Sequence, residues 1–148
     1  MAIFQLFSSE NFDIYPLQTV TGLNLPLMEG VQAGFPSPAA DFVDNSIDLN
    51  RHLIRHPSAT FLARAKGVSM IKAGISDNDL LVVDKSLDPS DGKIALCYID
   101  GEFTVKYIRI SEQEVWLDPA NDNFPSIRFK DGNNLMIWGI VTFIIKQV

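Results

Sequence analysis

The stretch Lys93-Ile94-Ala95-Leu96-Cys97-Tyr98-Ile99-Asp100-Gly101-Glu102-Phe103-Thr104-Val105-Lys106-Tyr107-Ile108-Arg109-Ile110 reads as two strands joined by a two-residue turn. Asp-Gly supplies the positive-φ residues that a tight hairpin needs. In the second arm Phe103, Val105 and Tyr107 share one face, and Thr104, Lys106, Ile108 and Ile110 share the other. Lys106 therefore lies among aliphatic neighbours, not in a row of charges. The strand alone leaves two readings open: a solvated edge lysine, or a buried one with a task. Burial disfavours an ammonium, so a buried Lys106 is expected to be a neutral amine that can accept a proton near pH 7.

The same short-strand pattern extends on both sides. Phe61, Ala63 and Ala65 alternate with Leu62, Arg64 and Lys66, the period of a half-buried strand. Residues 79–84 read as a short buried strand, and 115–117 as another. Residues 126–129 and 135–145 are expected to form a final hairpin around Asp131-Gly132-Asn133-Asn134. One helix is predicted over 46–55, with Ser46 or Asp48 as cap, Ile47, Leu49, Leu53 and Ile54 as apolar face, and Pro57 after its end. The fold class is mostly β: a folded-over sheet or partly open barrel with one short helix, not a parallel α/β sheet.

The beginning of the chain is different. In residues 1–30, Phe4, Phe7, Phe12, Ile14 and Leu17 keep no sustained period, and Pro16 and Pro26 interrupt. This reads as an extended arm, either mobile or laid on another surface. Residues 31–45 are small, uncharged at first and proline-bearing. Pro36 and Pro38 push their predecessors toward extended geometry, so this part is not helical and reads as a linker.

Composition narrows the function. The 148 residues suffice for one domain with a core. The single cysteine, Cys97, excludes an internal disulfide framework and a cysteine-rich zinc site. The net charge of −6, with no basic run, argues against strong direct nucleic-acid binding. No apolar run is long enough to span a bilayer and no secretory leader is visible, so a cytoplasmic protein is the expectation. His52 and His56 stand four apart, but a zinc site needs a third ligand, and they read as surface histidines. Asp77 and Asp79 lack the glycine and distal glutamate of a calcium loop and read as turn residues. No metal or cofactor is expected.

Gly67-Val68-Ser69-Met70 opens what reads as one helical turn, with Gly74 as a left-handed stop. Ser69 either caps that turn or acts as a nucleophile, and a serine nucleophile needs a base within reach. The stretch is not the Gly-x-Ser-x-Gly elbow of α/β-hydrolases. A serine at a helix start does have backbone N–H groups nearby that can hold an oxyanion. Cys97, in an apolar strand, reads as inert core.

These residues, taken in order, carry a resemblance. Gln32-Ala33-Gly34-Phe35-Pro36-Ser37-Pro38-Ala39-Ala40-Asp41, Ile47-Asp48-Leu49-Asn50, His56-Pro57-Ser58-Ala59-Thr60, Gly67-Val68-Ser69-Met70 and Asp100-Gly101-Glu102-Phe103-Thr104-Val105-Lys106 are similar to motifs of the LexA/UmuD family of self-cleaving Ser-Lys peptidases. The chain resembles the UmuD branch from about residue 31 onward. The resemblance implies Ser69 as nucleophile, Lys106 as general base, and Ala33-Gly34 as the bond cut. Backbone N–H groups of Val68 and Ser69 would hold the oxyanion. It implies an arm, residues 1–33, removed from a peptidase-like β domain, residues 34–148. It also implies a homodimer, stimulation of cleavage by RecA filaments on single-stranded DNA in the SOS response, and a shortened form that serves a UmuC-type Y-family polymerase in error-prone translesion synthesis. Two alternatives stand beside it. One is a LexA-type transcriptional repressor fragment, for which residues 1–33 are too short to hold a DNA-binding domain. The other is a catalytically silent interaction module. Signal peptidase chemistry would need a membrane anchor.

Overall fold

The structure, a computed structural model, describes residues 7–8, 12–16, 24–27, 45–129 and 135–148. Its strands are β1 (Phe7–Ser8), β2 (Phe12–Pro16), β3 (Asn24–Leu27), β4 (Asn45–Asp48), β5 (Thr60–Ala65), β6 (Leu80–Asp84), β7 (Ile94–Ile99), β8 (Glu102–Ser111), β9 (Glu114–Asp118), β10 (Ile127–Arg128) and β11 (Leu135–Ile145). Nine of them form one sheet in the order β1-β2-β5-β6-β11-β7-β8-β9-β10. Each described pairing in it is antiparallel, and its first and last strands do not meet, so the sheet is not closed into a barrel.

The Asp100-Gly101 turn forms as its chemistry demands. Asp100 has φ 47° and Gly101 φ 87°, the two positive angles of a tight hairpin turn. The register follows, with Tyr98 opposite Phe103, Leu96 opposite Val105, and Ala95 opposite Lys106. Both faces of this hairpin are core. Leu96, Phe103 and Val105 join Ala63, Leu81, Val83, Met70 and Ile75 on one face. Ala95, Cys97, Ile108, Leu117 and Ile140 cluster on the other. Lys106 belongs to the second face and is buried there with it.

β11 is the central strand. It pairs with β7 through residues 135–140 and with β6 through residues 140–145, so Ile140 has partners on both sides, Ala95 and Asp84. The expected hairpin of 126–129 with 135–145 is therefore not what forms. β10 pairs with β9 instead, Ile127 opposite Leu117. The apolar run of β11 is satisfied by two neighbours, whereas β10 is a two-residue edge. The turn residues 131–134 lie outside the described residues.

The register of β11 shifts between Ile137 and Gly139. At Gly139 a Cβ would stand 2.5 Å from Val83 Cγ1, so the close approach of β11 to β6 requires glycine there.

The arm is partly an added strand. β2 pairs with β5, Ile14 opposite Ala63, and Ile14 is fully buried in the main core. A separate compact unit, residues 19–55, holds β3, β4 and the helix α1 (Leu49–Leu53). α1 is shorter than the predicted 46–55. Ser46 and Ile47 are paired in β4 with Pro26 and Leu25, so the helix starts only after Asp48. Asp48 Oδ1 accepts from the Asn50 N–H at 3.0 Å and caps it. No residue of α1 is buried, so the expected apolar face does not become core. Among the described residues no helix is long and apolar enough to cross a membrane.

Candidate active site

Ser69 sits where strand β5 has ended. Gly67 turns the chain with φ 93°, and its N–H donates to Asp77 Oδ1 at 2.8 Å. Asp77 is thus a turn residue with a definite task, as is the buried Asp79, whose Oδ2 accepts from the Ser76 N–H at 2.8 Å. The helical turn predicted over 69–73 is a 3-10 turn, Ile71–Ala73, stopped by Gly74 at φ 82°. Met70, not Ser69, occupies its cap position, and no side chain caps it. The capping reading of Ser69 therefore does not hold.

The Ser69 backbone is pinned from outside. Its carbonyl accepts from the Ala120 N–H at 2.9 Å, and the Ala120 carbonyl accepts from the Lys72 N–H at 2.8 Å. Asn121 Nδ2 donates to the Val68 carbonyl at 2.9 Å. These carbonyls are occupied, while the N–H groups of Val68, Ser69 and Met70 donate to no acceptor among the described residues. Free donors beside a half-buried serine are what an oxyanion needs. In sequence, Ala120 and Asn121 belong to Asp118-Pro119-Ala120-Asn121-Asp122-Asn123, which shows only a turn-rich loop. Nothing in a loop asparagine announces the one carbonyl that it will hold.

Lys106 is 7% exposed. Its Nζ donates to Thr104 Oγ1 at 2.8 Å and to the Val105 carbonyl at 3.2 Å. Among the described residues these are its two acceptors, and Ser69 Oγ is not one of them. A neutral amine has two N–H donors and one lone pair. Two acceptors satisfy the neutral form and leave the lone pair free, whereas a third proton would have no described partner. Burial lowers the affinity of Lys106 for its proton, and the nearby Cys97 opposes this only in part. Burial pushes the Cys97 thiol up to about 12, so it is inert near neutral pH, as its strand position suggested.

A cavity of about 350 Å³ opens beside Lys106. Thr104, Phe103, Ile99, Phe124, Pro125 and Ile127 help to line it, and Ser69 does not. One loop connects the two groups. Its residues Ala120 and Asn121 hold the Ser69 turn, and Phe124 and Pro125 wall the cavity at Lys106. Ala33 and Gly34 lie outside the described residues.

The histidines do not form a pair. α1 stops at Leu53, so His56 is not on it. His56 Nδ1 instead shares a 2.6 Å hydrogen bond with Asp84 Oδ2, while Asp84 Oδ1 accepts from the Ser86 N–H and hydroxyl at 2.8 and 2.6 Å. Burial alone would raise the Asp84 pKa, but the bonds from Ser86 and His56 outweigh it and bring it below the ordinary carboxylate value. Among the described residues no group of three His, Cys, Asp or Glu side chains is placed to hold a metal ion.

Comparison with known proteins adds to this geometry. A family model described as Peptidase S24-like matches residues 26–142. The chain is 46% identical over 116 residues to Protein ImpA of Salmonella typhimurium, covering 78% of this chain and 79% of that protein. It is 41% identical over 135 residues to Protein SamA of Salmonella typhimurium strain LT2, covering 90% and 94%. It is 32% identical over 132 residues to the LexA repressor of Paracidovorax citrulli, covering 89% of this chain and 58% of the repressor.

Proposed function

This chain belongs to the peptidase S24-like family, the group of the LexA repressor and its UmuD-like relatives, and on that premise we propose that it is a serine peptidase that cuts itself at Ala33-Gly34. Lys106 in its neutral form takes the Ser69 hydroxyl proton. The Ser69 oxygen attacks the Ala33 carbonyl carbon, and the N–H groups of Val68 and Ser69 hold the resulting oxyanion. The Ala33–Gly34 bond breaks, and the proton on Lys106 passes to the departing Gly34 amine. Water, deprotonated by Lys106 in its turn, releases the Ala33 acyl group from Ser69, and Lys106 returns that proton to the leaving Ser69 oxygen. The products are residues 1–33 and 34–148.

The observation that carries this reading is the setting of Lys106. A lysine 7% exposed, whose hydrogen-bond partners among the described residues are two neutral acceptors and no carboxylate, is built to be an amine. The wider setting follows the resemblance. The shortened form acts as a homodimeric cytoplasmic subunit of a UmuC-type error-prone polymerase, and RecA filaments on single-stranded DNA stimulate the cut.

Intact-mass spectrometry after incubation at alkaline pH tests the chemistry, because high pH deprotonates Lys106 without RecA. The parent should split once, after Ala33, while Ser69→Ala and Lys106→Ala stay whole. A cut of equal rate in Lys106→Ala would remove Lys106 from the mechanism.

A further inference from the structure

Ala33-Gly34 lies in sequence between β3 and β4. Those strands pair with each other, Asn24 opposite Asp48 and Leu27 opposite Asn45. A cut between them leaves the β3–β4 ladder itself intact. The segment before the bond also contains β2, which pairs with β5 from Phe12 opposite Ala65 to Pro16 opposite Phe61. Ile14, at the middle of β2, is 1% exposed and packs in the main core with Ala63, Leu81 and Val83. So, among the described residues, those to be removed include two strands that pair with the part that remains, β2 on β5 and β3 on β4, and the core side chain of Ile14. Their departure would leave β5 an unpaired edge and a hole where Ile14 stood, and both are costly.

We propose that cutting Ala33-Gly34 does not free residues 1–33: the cut segment stays seated through β2 on β5 and β3 on β4, and its departure is a separate step. The proposal rests on the cleavage reading for the position of the bond and on the strand pairing for retention. Cleavage then arms the protein, and the shortened form appears only when the segment leaves the β5 edge. Ile14 is the anchor that sets how long it stays.

The test separates retention from self-cleavage. The full chain carries Ser69→Ala and a recognition site for an added protease in place of residues 35–38. After digestion, denaturing mass spectrometry verifies the nick. Size exclusion and native mass spectrometry at micromolar concentration then show whether the two pieces travel together. Co-elution is expected with Ile14 present and separation with Ile14→Asp. Because a buried charge can also unfold the sheet, Ile14→Ala is the second variant. With unchanged circular dichroism, it should weaken retention by about tenfold or more. Immediate release from the Ile14 chain, or retention unaffected by Ile14→Ala, overturns the proposal. Self-cleavage of the Ser69 chain is read in a parallel sample by denaturing mass alone, so a failure of the cleavage reading shows there and not in the retention result.

Discussion

Lys106 and Cys97 are diagonal neighbours on one face of the β7–β8 ladder, two buried groups that each resist becoming charged. Their effects on stability have opposite signs. The Lys106 pKa is lower in the folded chain, so above that value the unfolded chain binds more protons and stability rises with pH until about 10.4. The Cys97 thiol is held at about 12, so the unfolded chain loses its proton first, from about 8.5, and stability falls from there. Lys106→Met should therefore stabilise the chain at neutral pH, with an advantage that shrinks as pH approaches about 10.4. Cys97→Ala should remove the opposing decline above about 8.5. Urea denaturation at stepped pH measures both. A Lys106→Met advantage independent of pH would show that its effect is packing alone.

In the proposed mechanism the same lysine sets the pH profile of cleavage. With its neutral amine as the proposed base, the rate should rise about tenfold per pH unit below its pKa and then level. The plateau should begin below the ordinary lysine value because burial lowers the Lys106 pKa. Thr104→Val removes one of the two acceptors of Nζ and should shift that plateau. Single-turnover rates across pH read the effect, and an unmoved profile in Thr104→Val would rule out a role for this bond in tuning the base.

Asn121 holds the Val68 carbonyl, next in sequence to Ser69, the proposed nucleophile. Asn121→Ala should slow self-cleavage by about tenfold or more, as expected when a positioning contact is lost, with a loss of stability of only about 1 kcal/mol. Cleavage by mass spectrometry beside thermal melting separates the two. An equal loss of both would mean that Asn121 supports the fold in general and not the Ser69 turn.

Gly139 faces Val83 with no room for a methyl group. Gly139→Ala should cost about 1–3 kcal/mol through overpacking of the β6–β11 contact. Val83→Ala creates space, so the double variant should be more stable than the sum of the single losses. Additive losses in denaturant titrations would remove the clash as the cause.

Much of the sheet could be read from short-range chemistry. Asp100-Gly101 fixes one hairpin locally, and the alternation from Phe61 to Ala65 shows one face of β5. What sequence could not show was pairing between distant segments. The apolar run of β11 fits a hairpin arm as well as a central strand, and only burial between β6 and β7 decides. Ile14 stands in a stretch without a period, so its place in the core had no local signal. At the site, the faces of β8 placed Lys106 among aliphatic residues but could not say which face is buried, because both are. Asn121 was invisible for a similar reason: a single bond from a loop leaves no pattern.

The position of β11 also bears on synthesis. Ser69 and Lys106 leave the ribosome well before residues 135–145, yet β6 and β7 have no partner between them until that strand arrives. Ile140, packed on the Lys106 face, comes with it. In the proposed mechanism, a chain that lacks residues 135–145 holds Ser69 and Lys106 but not the strand that helps to exclude water from the lysine, so it should not cut itself. Stalling translation before residue 135 should give an uncut, protease-sensitive chain even at alkaline pH.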